Sequence, residues 1–279
     1  MFFVPIDENK HNVNPRYYET IEANLKDEIT RRRLLGGEWI DRPSGDAIFF
    51  GYFHEASHIR GDRVKETGII PLAGIPIVTG WDPGPKNFCI EFMQMIPSTK
   101  GELLWTIFDE LNYVGKYAPD YRVVADFLAK VEFWKSVVGS ESPYFNISDE
   151  VGWTQLRNDG SYDVRKIQEL SKGKIRLRPC PKAKDSVRAR VQMTMNKLMS
   201  DLILVSALCP KTIDMFLYLN SVRGNPEDYD ENRGLKPMRS PQLHPFDAMT
   251  YGMYYFDLNP ALVIARAQKL EAKVYAAGG

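Results

Sequence analysis

The sequence predicts an α/β protein built on a mixed sheet, in which an antiparallel three-strand meander is joined by parallel strands and flanked by helices. Three observations carry that prediction. After Pro76, three short apolar or alternating runs follow one another (PIVTGWD, NFCIEFMQM and ELLWTIFDEL), separated by the turn-like DPGPK and PSTKG. The segment PDYRVVADFLAKVEFWKSVVG then carries apolar residues at helical spacing. Beyond it, strand-like YFNIS, IRLRP and LILVS alternate with helix-like stretches, a pattern that places helices over a sheet.

Along the chain, Asn14-Pro15 reads as a cap with proline at the first helical position. The helix that follows sets Tyr18, Ile21, Leu25 and Ile29 on one face, and Gly36-Gly37 ends it. A loop-rich stretch runs to about Leu72. The helix after the meander buries Val124, Phe127, Leu128, Val131 and Trp134. YFNIS forms a fourth strand ending at Asp149, and IRLRP a fifth. Ser186 caps a helix with Val187, Val191, Met195, Leu198 and Leu202 on one side. LILVS extends as a strand or as the helix's continuation, and a short helix spans 211–220. Residues 223–243, rich in Gly, Pro, Asn and charge, read as a loop. The last helix restarts at Pro245, with Phe246, Met249, Met253 and Phe256 inward. The change of pattern at Pro76 divides the chain into a lead-in over 1–75, a main domain over 76–258 and a tail over 259–279.

The 279 residues suffice for one large domain with an extension, and 44% apolar content is ordinary for a globular protein. No run approaches the roughly 18 apolar residues a membrane span needs, so no membrane partner is expected. MFFVPIDENKHN lacks the basic start and apolar core of a signal peptide. Cys89, Cys180 and Cys209 form no CxxC pair and read as free thiols in a reducing compartment. Lys plus Arg (36) balance Asp plus Glu (36), which speaks mildly against a nucleic-acid binder. The distribution speaks for one: from Arg165 to Lys197 the only acids are Glu169 and Asp185. Within it, Lys172, Lys174, Arg176, Arg178, Lys182, Lys184, Arg188 and Arg190 form a stripe suited to a phosphate backbone, or else a solvated basic face.

The acids at element ends suggest the chemistry. Hydrolysis of a phosphodiester by two metals needs several carboxylates converging on one point, to hold ions roughly 4 Å apart. Mg²⁺ and Mn²⁺ take oxygen ligands, so neither His nor Cys is required. Asp82 closes an apolar strand before Pro83-Gly84, Asp149 closes YFNIS and is followed by Glu150, and Asp247 lies in the first turn of the last helix beside His244. Each alone is an ordinary turn or cap aspartate; in a mixed sheet, neighbouring strand ends and one helix start can meet on a single edge. Asp109 and Glu110, ending the third strand, are candidates for a further ligand or for supporting one. Glu150 and His244 are candidates for orienting a ligand or a water.

Four of these patterns, GWDPG at 80–84, IFDELNYVGK at 107–116, ISDEVG at 147–152 and HPFDAMTYGMYY at 244–255, occur in an order that resembles the nuclease domain of phage large terminases. KAKDSVRARVQMTMNKLM and ALCPKTIDMFLYL resemble later helices of that domain, so the resemblance covers about residues 76–256. NPRYYETIEANLKDEITRRRLLGGEW resembles the segment that closes the terminase ATPase domain. The resemblance implies an RNase H-like fold and an endonuclease that cuts double-stranded DNA during viral genome packaging, using two Mg²⁺ or Mn²⁺ ions. By motif position, Asp82, Asp149 and Asp247 are the implied ligands. It also implies as partners the terminase ATPase portion or chain, the small terminase subunit and the portal, all in the cytoplasm of the infected bacterial host. No GxxxxGK[ST] loop occurs, so the chain is expected to be either the C-terminal piece of a longer protein or a separately encoded half.

Rival readings exist. Another RNase H-like nuclease, such as a resolvase or transposase, would use the same acids, and a binding module on a decayed nuclease fold would not need them. His54-Glu55-Ala56-Ser57-His58 matches the HExxH zinc-protease signature, but Gly51 and Gly61 bracket only nine residues without a sustained apolar stripe. Tyr251, Tyr254 and Tyr255 fit core or helix-surface positions better than base-stacking ones.

Overall fold

The computed structural model describes residues 47–84, 87–97, 103–113, 115–139, 144–154, 163–181, 186–220, 237 and 239–259. The helix expected over 15–35, residues 223–236 of the expected loop and the tail beyond 259 lie outside them, as do Lys182 and Lys184. The described residues fall within one compact unit, Ala47–Gly279.

In chain order its elements are α1 (Glu55–His58), β1 (Ile59–Arg60), β2 (Ile77–Asp82), β3 (Cys89–Pro97), β4 (Leu103–Asn112), α2 (Asp120–Val138), β5 (Tyr144–Asp149), α3 (Val151–Thr154), α4 (Asp163–Leu170), β6 (Leu177–Cys180), α5 (Ser186–Met199), β7 (Ile203–Ser206), α6 (Pro210–Tyr218) and α7 (Leu243–Asp257). The strands form one sheet in the order β1-β7-β4-β3-β2-β5-β6. β2, β3 and β4 pair antiparallel as the meander, with a register shift between Phe92 and Met93. β5 lies parallel to β2, β6 to β5, β7 to β4 and β1 to β7. This is the mixed, helix-flanked sheet that the sequence predicts.

Because side chains alternate along a strand, the sheet buries two separate cores. On one face Ile77, Trp81, Ile90 and Phe92 pack beneath Val124, Phe127 and Val131 of α2. On the other, Val78, Met93, Ile107 and Ile147 pack beneath Phe246, Met249, Met253 and Phe256 of α7. The second face positions the site. There α7 crosses β2 so closely that a Cβ on Gly80 would overlap the Ala248 carbonyl oxygen, and one on Gly252 would press on Met93 and Val78. Two glycines thus let the helix backbone rest against the strand backbone, two residues before β2 ends at Asp82.

Some local expectations change. Val187 is exposed, and α5 instead buries Ser186, Arg190, Val191, Thr194, Met195 and Leu198. In α2, Val123 and Val138 are buried where Leu128 and Trp134 are only partly so. The stretch expected as loop before Leu72 holds β1, which pairs with β7, and contributes Phe49 and Phe53 to the α7-side core.

Candidate active site

The register of β2 and β5 aligns Trp81 with Ser148, so Asp82 and Asp149 are the next residues along two parallel neighbours. Alternation places Asp82 on the face of Val78 and Gly80, and Asp149 on the face of Phe145 and Ile147. That is the face covered by α7. Because α7 is held against Gly80, its first turns carry His244, Asp247 and Tyr251 to the same strand ends.

Each of the three carboxylates meets a donor from another element. His244 Nδ1 lies 2.7 Å from Asp82 Oδ2. Tyr251 donates its hydroxyl to Asp149 Oδ2 at 3.1 Å, while Asp149 Oδ1 accepts the Val151 N–H at 3.0 Å. Arg190 Nη1 donates to Asp247 Oδ1 at 2.7 Å. Burial pushes the Asp82 carboxyl from 3.8 up to about 7, with repulsion from Asp247 and Asp149 adding to the rise and the His244 hydrogen bond opposing it. The hydrogen bond to Asp82 in turn raises the His244 imidazole above its usual value. Burial raises the Tyr251 phenol, and Asp247, Asp82 and Asp149 all add to that rise. All three acids therefore act on one buried ring.

Among the described residues, no three His, Cys, Asp or Glu side chains are already set around a common ion position. The donor set nevertheless suits a hard divalent ion: it offers carboxylate oxygens from three elements, and their mutual repulsion is what a cation would relieve.

The remaining candidates are placed elsewhere. Glu110 sits at the start of α6, where its two oxygens accept the N–H groups of Lys211 (3.0 Å) and Thr212 (2.9 Å). The Thr212 hydroxyl bridges it to the buried Glu91. Glu91 pairs with Glu110 and with Gly80, which sets Glu110 two strands away from β2. Asp109 points to the opposite face, held by Lys130 Nζ at 2.6 Å and Trp134 Nε1 at 2.7 Å. Glu150 is exposed just beyond Asp149.

Lys172, Lys174, Arg176 and Arg178 are all exposed on the approach to and within the edge strand β6. Arg178 pairs with Ile147 and lies over the Phe145 ring at 5.4 Å, so it shares the face of Asp149. Arg188 is exposed on α5. Arg190 is a correction to the basic stripe: its side chain is 2% exposed and turned inward to Asp247, so it offers no surface to a phosphate backbone. The HExxH segment forms only a four-residue helix. The buried His58 there accepts the His54 N–H at Nδ1 (2.9 Å) and donates from Nε2 to the Leu198 carbonyl (3.1 Å), which occupies both ring nitrogens.

Of the three donors, the sequence singled out His244 but missed the parts played by Tyr251 and Arg190. Tyr251 had a legible signal, since it lies one helical turn after Asp247 and so shares its side of α7. Arg190 had a weaker one, its position beside Val191 and one turn before Thr194 on the inward side of α5.

No protein-family description matches the chain, and no curated protein sequence matches it. Solved structures do. The large terminase of a thermophilic bacteriophage, in complex with ADP, superposes with a TM-score of 0.52 at 16% identity, over 90% of this chain and 54% of that one. A second structure of the same terminase gives 0.51 at 16% identity, over 88% and 54%. The P22 large terminase nuclease domain gives 0.49 at 11% identity, over 74% of this chain and 90% of that one. The first of these likenesses shows that the chain shares its fold with a phage large terminase, and that it spans about half that protein's length.

Proposed function

We propose that the chain is the nuclease part of a phage large terminase: a divalent-metal-dependent endodeoxyribonuclease that cuts double-stranded DNA during viral genome packaging. One observation carries this reading. Asp82, Asp149 and Asp247 converge from two strand ends and the second turn of α7 onto a single face, close enough that two of them raise the third. That convergence stands on a fold shared with a large terminase.

In this reading the three aspartates would hold two Mg²⁺ or Mn²⁺ ions, which would supply Lewis acidity for phosphodiester hydrolysis. His244 orients Asp82, and Tyr251 orients Asp149. Lys172, Lys174, Arg176, Arg178 and Arg188 position the DNA backbone from β6 and α5, with Lys182 and Lys184 continuing that track in sequence. Such contacts fix register and carry no base preference, as a packaging cut requires. An ATPase portion or partner chain, the small terminase subunit and the portal complete the assembly in the host cytoplasm.

The test is digestion of supercoiled and linear plasmid by the full chain in Mn²⁺, Mg²⁺, Zn²⁺ or EDTA, beside Asp149→Ala. Cleavage in Mn²⁺ or Mg²⁺ is expected, abolished by EDTA and reduced at least about 100-fold in the variant, the upper range for losses at metal-orienting groups. A folded protein that cuts no DNA with any metal overturns the reading. Zn²⁺-dependent digestion of casein would transfer the function to the HExxH segment.

A further inference from the structure

A buried guanidinium is costly unless its charge and its donors are met. Among the described residues, Arg190 is the one arginine among the largest fully buried side chains, although it belongs to a helix whose neighbouring Arg188 is exposed. Its surroundings are specific. Nη1 is shared between Asp247 Oδ1 at 2.7 Å and Thr250 Oγ1 at 2.6 Å, so it grips two residues of one turn of α7. Its guanidinium carbon lies 4.5 Å from the Tyr251 ring centroid and 5.4 Å from that of Phe246. Tyr251 in turn donates to Asp149 Oδ2. A continuous chain of contacts therefore runs from Asp247 through Arg190 and Tyr251 to Asp149, joining α7 and α5 to the end of β5.

We propose that Arg190 and Tyr251 form a buried clamp that sets the position of Asp247 relative to Asp149, and thereby the site's affinity for divalent ions. Both are positioning residues: neither supplies a ligand, and each fixes a carboxylate that does. The inference rests on the metal-dependent reading of the three aspartates. The chemistry selects arginine here. Nη1 serves both acceptors through its two hydrogens while the planar guanidinium lies over the Tyr251 ring, and an ammonium offers charge and donors without that planar face. The clamp lies opposite in kind to Lys197, which joins the same two helices through Asp257 at 3.2 Å but near their far ends.

The measurement is Mn²⁺ binding to the full chain by titration calorimetry without DNA, with thermal melting alongside, for wild type, Arg190→Lys, Tyr251→Phe, the double variant and Lys197→Gln. Tyr251→Phe keeps the ring under Arg190 and removes only the hydroxyl, so it remains informative if Arg190→Lys folds poorly. Each clamp variant is expected to weaken Mn²⁺ by about 10- to 100-fold, the range for groups that orient metal ligands. The double variant should lose less than the product of the two, because both act through one unit. Lys197→Gln should bind as wild type. Clamp variants that melt lower yet bind Mn²⁺ within about twofold of wild type would make the contacts merely structural and overturn the inference. Equal weakening by Lys197→Gln would assign the effect to helix docking and overturn it as well. A wild-type chain that binds no Mn²⁺ overturns both this inference and the metal-dependent reading beneath it.

Discussion

Burial at Asp82 favours the protonated carboxyl at acidic pH values where an aspartate is ordinarily ionised. Its folded-state value of about 7 stands above the 3.8 of the free group, so between those values the folded chain binds a proton that the unfolded chain has lost. Stability must then fall as pH rises through that window. His244 is also raised, so its contribution is present at low pH and is lost as pH rises through its folded value, the same direction. The buried Glu91, raised chiefly by burial, adds to the trend. With metal chelated, the melting temperature should therefore decline from about pH 5 to about pH 8, and Asp82→Asn should make the decline shallower. A metal-free protein that becomes more stable across this range would contradict the environment described for Asp82. Divalent ions need the ionised carboxylate, so the thermal shift they give should grow up to about pH 7 and then level.

At the scale of elements, the site depends on how closely α7 lies on β2. Gly80→Ala adds a Cβ that overlaps the Ala248 carbonyl, and backbone on both sides must move. We expect a loss of about 1–3 kcal/mol in urea denaturation, the usual cost of overpacking, together with weaker metal binding because Asp247 moves with the helix. Unchanged stability would mean that the crossing is looser than described. Glu110 gives a second test at this scale. As the acceptor for two N–H groups at the start of α6, its replacement by Ala should cost about 0.5–2 kcal/mol. A loss of metal binding at unchanged stability would instead make it a ligand. The elements themselves were largely legible, because the meander is punctuated by DPGPK and PSTKG and α7 carries a regular apolar stripe. β1 was not, since two residues have no periodicity and their pairing comes from β7, far along the chain. Asp82 and Asp149 were legible because each ends a strand; Asp247, expected in the first turn of a helix starting at Pro245, lies in the second turn, because α7 starts at Leu243. His244 was legible as a supporting group from its place beside Asp247, whereas Arg190 reaches Asp247, and Tyr251 reaches Asp149, through a fold that no local pattern encodes.

For the molecule as a whole, formal neutrality leaves no long-range pull toward DNA, so any affinity must come from where the charges lie. Lys172, Lys174, Arg176 and Arg178 are exposed in succession at the sheet edge next to the strand that ends in Asp149. A backbone laid along them would pass the carboxylates at that edge. Each phosphate neutralised releases condensed counterions, so the logarithm of the binding constant should fall with the logarithm of salt concentration by about 0.9 per contact. Arg176→Gln and Arg178→Gln together should therefore flatten that slope by about 1.8 and weaken binding of all duplex sequences alike. The readout is fluorescence anisotropy of a labelled duplex in EDTA over a salt series, where cleavage is absent and only binding is seen. Arg178 also covers Phe145, so the variant's melting temperature must be checked to separate lost packing from lost contacts. If the slope is unchanged in a folded variant, DNA does not follow β6. The same experiment on Arg190→Lys should leave the slope as in wild type, because a guanidinium buried against Asp247 releases no counterions from DNA.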